Sequence, residues 1–425
     1  MDTPPPSAAV PQLAEHLFRH EAGKLVSALT GIFGMARLQL AEDVVQEAMI
    51  RALQTWPYHG IPANPAAWLM QTAKNRALDL IRREKSFHEK QPEIIASLER
   101  PTDESTDPHF DTEIADDRLR LIFACCHPLI SLEDQTALAL KTLCGFSPEE
   151  IANAFLTSEV AINKRLTRAR QKIRDLALPF EIPAGDELTT RLDGVLQTLY
   201  LLFNEGYKAS SGDSLIREDL CEEAIRLTSL LADHPSADFP HTHALLSLML
   251  LNAARLSGRT DAGGNILRLK DQDRSTWNPS MIGLGLMHLG RAAQGDTLTE
   301  YHLQAGIAAC HATAADDATT DWQRILIHYD RWMMINDSPV IALNRAVALA
   351  KIHGPAAGIE AISKIRQKKS LDSYYLVHAV LGEFEAQLGN FQIAVAHLQK
   401  ALSLADLRSE QVFLEKQLIG LGGGY

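Results

Sequence analysis

Nearly every segment of this 425-residue chain spaces its apolar residues at helical period. In the stretch from Ser158 to Asp175, Ile162, Leu166, Ala169 and Ile173 recur at intervals of 4, 3 and 4, which is one face of a helix. Alternating β-branched runs are scarce, and no Asn-Gly or Asp-Gly turn sits between two of them. A chain patterned this way must build its core from helix faces, so an all-α fold is predicted. At roughly 100–200 residues per domain the length suggests two to four domains. With 46% apolar and 22% charged residues the chain is not disordered as a whole. The longest near-continuous apolar run, Ala244–Leu251, is far short of the roughly 20 residues that span a membrane, so no membrane partner is expected. The N-terminus, MDTPPPSAAV, lacks the basic-then-apolar pattern of a secretory signal. Five cysteines (Cys125, Cys126, Cys144, Cys221, Cys310) form no C-x-x-C pair, which predicts reduced structural thiols, a cytoplasmic location and no metal or other cofactor.

Composition divides the chain into regions. Residues 12–90 read as a helical domain with helices around Leu13–Thr30, Ala41–Thr55 and Pro65–Lys85, and a Pro/Gly/Asn-rich loop at Pro57–Asn64. Residues 91–117 read as a solvated linker: from Glu99 to Asp117 eight acids face one Arg100, with Pro101 and Pro108 among them. Residues 118–178 are helical again and end in a basic helix, closed by Pro179 and Pro183. Residues 187–421 read as short helices rich in Ala and Leu. Aligning GPAAGIEAI at Gly354 with GNFQIAVAH at Gly389 gives an offset of 35, pairing Ala361 with Ala396. A period near 34 with glycine at the turn is the tetratricopeptide signature, so this region is read as tetratricopeptide-like.

The net charge of −12 argues against nucleic-acid binding until its distribution is considered. Ser147–Asp175 reads as a helix-turn-helix. Ser147 suits the N-cap, Pro148 the first turn and Glu150 the return bond of a capping box. Ile151, Ala152 and Phe155 give the first helix its apolar face. After a break at Leu156-Thr157, where a glycine is usual, Ser158 caps the second helix. Opposite its apolar face stand Asn163, Lys164, Arg165, Thr167, Arg168, Arg170, Lys172 and Arg174, and Glu159–Asp175 carries six bases against two acids. Phosphates require such a positive field, and base edges require Arg, Lys and Asn along one exposed stripe. A solvated basic face is the plainer reading of the same charges.

Two further stretches narrow the choice. AEDVVQEAMIRALQTW (Ala41–Trp56) sets Val45, Ala48, Met49 and Ala52 on one side and Asp43, Gln46, Glu47 and Ile50 on the other. WLMQTAKNRALDLIRREK (Trp68–Lys85) interleaves Leu69, Ala73, Ala77, Leu80 and Ile81 with Lys74, Asn75, Arg76, Arg82 and Arg83. These resemble the signature helices of region 2 in the extracytoplasmic-function (group 4) sigma-70 factors, and Arg165–Arg170 resembles the R-L-x-R-A-R end of region 4. The order of region 2, linker and region 4 also fits, over about residues 12–178. LYLLFNEGY (Leu199–Tyr207), LKDQDRSTWN (Leu269–Asn278) and SPVIALNRAVALA (Ser338–Ala350) resemble the C-terminal extension of one subgroup, which carries a tetratricopeptide-like domain.

The resemblance implies a protein that directs RNA polymerase core to promoters, without catalysis of its own. Asp43, Gln46 and Glu47 would dock the clamp helices of the polymerase largest subunit. The loop Tyr58–Ala67 would hold a flipped base of the −10 element, with Asn75 near it and Arg76, Arg82 and Arg83 on phosphates. Asn163, Lys164, Arg165, Thr167 and Arg168 would face the −35 promoter DNA. Trp68, Leu69 and Asp79 are read as packing or helix-surface residues. The competing reading is a helical-repeat enzyme or scaffold that carries an N-terminal DNA-binding module. Asp271, Asp273, Arg274, the His241-x-His243 pair and Asn204–Tyr207 are the residues of this region that could serve a catalytic or metal site. Their spacing fits helix capping and loop stapling better. A regulatory role is expected for residues 187–421, through a partner or ligand, with a closed form in which region 2 or region 4 is buried against them.

Overall fold

The computed structural model describes residues 21–83, 116–155, 157–176, 186–209, 216–261, 263, 265, 267–365, 371–372, 374–405 and 408–422. Residues 12–20 of the first domain, most of the acidic linker and the turn residue Leu156 lie outside them, as does the side chain of Arg83. The described residues form helices and no β-strand, and they divide into two compact units. One runs up to Leu202 and includes Asp233–Ala237; the other comprises Phe203–Ala232 and the residues from Asp238 onward.

In the first unit, α1 spans 21–33, a 3₁₀ turn Met35–Arg37 follows, and α2 (Leu38–His59) packs against α3 (Pro65–Arg83). Ala41, Val44, Val45, Ala48 and Ala52 bury one face of α2, while Leu69, Ala73, Ala77 and Ile81 bury one face of α3. Helix α2 runs past Thr55, where the sequence suggested a loop. Pro57 sits inside its last turn, at a position where the missing N–H and ring clash cost about 3 kcal/mol in a helix interior. Trp56 supplies the compensation: it is buried and meets Trp68 edge-on at 5.6 Å, and its carbonyl accepts from Gly60 N–H as the helix ends. Lys74 also differs from its place in the basic series; it is buried on α3, and desolvation lowers its pKa.

The same unit continues with α4 (Asp117–Cys125), α5 (Leu132–Leu143), α6 (Pro148–Ala154), α7 (Glu159–Leu176) and α8 (Asp186–Tyr207), whose last residues pass into the second unit. Asp116, the last residue but one of the acidic stretch, caps α4 by accepting from the N–H groups of Arg118 and Leu119. Helix α6 starts in a full capping box: Glu150 N–H donates to Ser147 Oγ at 3.1 Å, and Ser147 N–H to Glu150 Oε2 at 2.7 Å. Ala161 N–H donates to Ser158 Oγ at 3.3 Å, which caps α7. Helix α7 packs on α5 and α6, with Ile162, Leu166, Ala169 and Ile173 all buried.

Helix α8 rests on this array. Arg191 donates to the Phe123 carbonyl at 3.3 Å, and the Cys126 thiol is hydrogen-bonded to Thr198. Between them Gly194 lies so close that a Cβ would stand 2.5 Å from Gln135 Oε1 and 3.1 Å from Cys126 Sγ. The part of the 187–421 region up to Leu202 is therefore packed on the α4–α5 segment.

In the second unit, α9 (Glu218–Asp233) and α11 (Pro279–Ala292) cover α10 (Pro240–Ala253), with Leu246 and Leu250 between Ala232 and Met281. Helix α10 is apolar all round because it is enclosed, as its Ala244–Leu251 run requires. Helices α12 (Glu300–Thr313), α13 (Trp322–Ile335), α14 (Pro339–His353), α15 (Pro355–Ser363), α16 (Tyr375–Gln387), α17 (Phe391–Leu404) and α18 (Arg408–Gly422) then pack each on the next. The turns α14–α15 and α16–α17 each contain a glycine at positive φ, Gly354 at 90° and Gly389 at 80°, a conformation other residues adopt at a cost. Past the turns the register shifts by one. Gly358 and Ala394, not Ala361 and Ala396, occupy the tight crossings: a Cβ on Gly358 would meet Phe384 at 2.6 Å, and Ala394 is fully buried. The cause is Asn390, an extra residue between Gly389 and the start of α17.

The candidate catalytic groups of this region have structural partners. Asp273 caps a 3₁₀ turn, and Arg274 donates to the carbonyls of His311 and Ala314 at 2.8 Å each. His243 is buried between Asp238 (2.6 Å) and His288 (2.9 Å), while His241 stacks on Phe239. Glu205 pairs with Arg217 at 3.1 Å. Among the described residues no three His, Cys, Asp or Glu side chains converge as metal ligands.

All five cysteines are buried and none forms a disulfide. Burial raises the Cys125 thiol pKa and pushes those of Cys126 and Cys221 up to about 12. At pH 8 the native protein should therefore react slowly with a disulfide reagent such as DTNB and release five equivalents of thiol only in guanidinium chloride. Rapid stoichiometric reaction of the native protein would contradict this packing.

Candidate nucleic-acid and polymerase interface

The exposed face of α2 carries Asp43, Gln46, Glu47 and Ile50, as its helical spacing requires once Val44, Val45 and Ala48 turn inward. Asp43 accepts from Gln39 at 2.9 Å. Glu47 pairs with Arg76 on α3, whose Nη2 lies 3.3 Å from Glu47 Oε1, and this contact raises the Arg76 pKa. Two residues considered for different partners, polymerase and −10 DNA, thus meet in this structure. Asn75 accepts from Gln71 at 2.9 Å on the exposed side of α3, and Arg82 is exposed one turn further. At the end of α2 the Tyr58 ring is 86% exposed, beside the loop that leads to α3. Asn64 caps that next helix by accepting from Ala67 N–H at 3.0 Å. Tyr58 belongs to the last turn of α2, not to the loop.

On α7, Asn163, Lys164, Thr167 and Arg168 are exposed together, opposite the buried stripe. Arg165 is turned inward. It pairs with Glu133 at 2.6 Å and lies 5.3 Å from the centre of the Phe155 ring. Thr167 donates to the Asn163 carbonyl at 2.8 Å. Arg168 pairs with Asp134 at 2.9 Å, and Lys172 donates to the Leu129 carbonyl at 2.7 Å. Three of the six bases on α7 (Arg165, Arg168, Arg170) are therefore matched by acids from other elements. The sequence of α7 alone could not reveal them, because Glu133 and Asp134 open a separate helix, with Asp134 lying 34 residues before the Arg168 it meets.

Arg170 reaches furthest. Its Nη2 meets Glu42 Oε2 on α2 at 2.8 Å, and Glu42 Oε1 accepts from Thr142 Oγ1 at 2.7 Å. Glu42 and Arg170 keep only 15% and 18% of their side-chain surface exposed. Nearby, Gly23 on α1 approaches the Leu143 carbonyl so closely that a Cβ would stand 2.3 Å from it. The helix-turn-helix is thus seated on the α1–α2 pair. The groove at this seam, about 550 Å³, is lined by Asp43, Gln46 and Met49 on one side and by Lys141, Thr142 and Arg170 on the other. No local pattern in the sequence sets Glu42 apart; only its neighbours on the exposed face of α2 stand out.

Family models match three consecutive parts of the chain: Sigma-70 region 2 at residues 17–87, Sigma-70, region 4 at residues 120–173, and a family of unknown function (DUF6596) at residues 191–293. An uncharacterized protein of Rhizobium meliloti (strain 1021) is 38% identical over 382 residues, which is 90% of each chain. The ECF RNA polymerase sigma factor SigG of Mycobacterium tuberculosis (strain ATCC 25618 / H37Rv) is 27% identical over 204 residues, 41% of this chain and 51% of its own length. No solved structure matches. Among the described residues no helix is long and apolar enough to cross a membrane. The α1–α3 array falls within the region 2 match and α4–α7 essentially within the region 4 match, in the order that initiation factors carry them, and the chain belongs to the extracytoplasmic-function sigma-70 family: it is a sigma factor, binding RNA polymerase core and promoter DNA in transcription initiation, with a helical C-terminal extension.

Proposed function

We propose that residues 12–90 of this sigma factor dock the polymerase and open the −10 element, residues 118–178 read the −35 element across the linker 91–117, and residues 187–421 form a tetratricopeptide-like regulatory domain. The observation that carries the −35 reading is the α7 stripe of Asn163, Lys164, Thr167 and Arg168, exposed as a set opposite a fully buried face. Arg165 braces the helix through Phe155 and Glu133. Asp43, Gln46 and Glu47 would meet the clamp helices of the largest polymerase subunit. Tyr58 would stack on an extruded base, a contact worth roughly 1–3 kcal/mol. Asn75 would contact that base, with Arg76, Arg82 and Arg83 on phosphates. Docking and −10 binding both call for release of the Glu47–Arg76 pair, and −35 reading for exchange of Asp134 for DNA at Arg168.

Transcription from candidate promoters with purified core polymerase tests this reading, a promoter-dependent transcript being expected. Arg168→Ala should cost about 1–3 kcal/mol in promoter affinity and relax preference within the −35 element. Arg82→Ala should weaken all promoters alike and reduce the salt slope by about 1. A gel-shift series over single-base promoter variants at two salt concentrations separates the two. Unchanged affinity and preference in Arg168→Ala would mean that another face of α7 enters the groove.

A further inference from the structure

The second unit contains a cavity of about 300 Å³ between α10, α12, α13, α14 and the segment around Trp277, at the small end of ligand sites. One wall is apolar, formed by Leu248, Leu251 and Ile307. Asn252, Gln304, His311 and Asn344 add polar groups, and the lining carries one guanidinium, Arg255, and no carboxylate. Arg255 donates Nε to the Tyr207 hydroxyl at 2.8 Å, and among the described residues no carboxylate pairs with it. Arg259 lies over the same tyrosine ring at 3.7 Å, so a second cation backs the first. Two lining groups are left without partners. Trp277 is 4% exposed and its Nε1 makes no hydrogen bond, and the buried Nδ1 of His311 makes none either. Orphaned polar atoms of this kind are rare in a finished interior and cost about 1–3 kcal/mol each until something meets them. Burial, then Arg255 and Arg274, hold the His311 pKa down to about 4, so His311 is neutral here and Arg255 is the cation of the lining.

A guanidinium that meets a tyrosine hydroxyl but, among the described residues, no carboxylate, at a small, half-apolar cavity in a protein of net charge −12, is suited to hold an anion. We propose that this cavity binds a small organic carboxylate, its anionic end held by Arg255 and its carbon body against Leu248, Leu251 and Ile307. Asn344, exposed at the cavity on α14, is placed to add an amide N–H. A single guanidinium suits a monoanion better than a phosphate dianion. The carboxylate can come from a free metabolite-sized acid or from the C-terminal end of a peptide, and the chemistry at Arg255 is the same.

The test is calorimetric titration of the full-length protein with benzoate, phenylacetate, indole-3-acetate and hexanoate, each beside its carboxamide, with inorganic phosphate, and with Ala-Ala-Phe as free acid and C-terminal amide. At least one acid should bind with a Kd below about 1 mM, and its amide at least about tenfold more weakly. Arg255→Gln should weaken that acid by about tenfold or more. Because Arg255 also holds Tyr207, Asn344→Asp is the second variant: it leaves that bond alone, adds a like charge and should weaken binding by a similar factor. The remote Arg226→Gln should change nothing. Binding of the small acids identifies a metabolite-type ligand, and binding of the free-acid peptide alone identifies a chain end; both uphold carboxylate capture. Absence of any acid binding below 1 mM, equal binding of acid and amide, phosphate binding in preference to every acid, or full affinity in Asn344→Asp would each overturn it.

Discussion

Replacing Glu42 with Leu is expected to release the helix-turn-helix from the α1–α2 pair. The substitution leaves Arg170 mostly buried without its counter-charge and takes away the acceptor of Thr142. Breaking such a pair from one side costs about 3–5 kcal/mol, several times what an exposed ion pair contributes. A contact between two small helical arrays does not withstand that loss, so small-angle scattering should report a larger radius of gyration for Glu42→Leu. The consequence for function follows from position: Glu42 precedes Asp43, and Asp43 and Gln46 line the seam beside Lys141 and Arg170. With the seam open, binding to labelled core polymerase should tighten. Glu42→Leu combined with Arg170→Met should recover much of the lost thermal stability, since no charge is then stranded. Identical scattering and stability for wild type and Glu42→Leu would show that this pair does not hold the two arrays together.

Truncation after Leu178 is expected to do more than remove the C-terminal extension. Helix α8 begins at Asp186, and Arg191, Gly194 and Thr198 are in contact with Phe123, Gln135 and Cys126. Leu188, Val195 and Leu202 flank that stripe and are buried, each stabilising by roughly 1.5–3 kcal/mol. Their sum reaches a large part of the 5–15 kcal/mol that holds a typical domain. A fragment ending at Leu178 should therefore show a broadened, low-temperature unfolding transition, and one ending at Ala209 a cooperative transition. If both fragments unfold alike, α8 contributes no stability to region 4. The comparison bears on any test of control in cis: only the longer fragment separates loss of the remaining C-terminal helices from loss of the α8 contacts with α4 and α5. Higher promoter-dependent transcription from it than from the full chain would support inhibition by those helices, and lower transcription a required contact.

Local pattern was enough to locate the helices and their inward faces. The 4, 3, 4 spacing of Ile162, Leu166, Ala169 and Ile173 fixes which side of α7 is buried, because side chains on a helix repeat every 3.6 residues whatever lies outside it. The Ser147–Glu150 capping box and the glycine turns at Gly354 and Gly389 were legible for the same reason: each is satisfied within a few residues of chain. Pro57 misled, because whether a helix survives a proline depends on what its last turn buries, here Trp56 against Trp68. The charge partners lay beyond any local pattern. Arg165, Arg168 and Arg170 stand on one short helix with similar sequence surroundings, yet they face Glu133, Asp134 and Glu42. The sequence alone determined that α7 would be an amphipathic basic helix. Only the tertiary structure decided which of its arginines remain at an open surface and which is drawn to another array, because a long charged side chain settles on the nearest carboxylate in space, and at Arg170 that carboxylate lies 128 residues away along the chain.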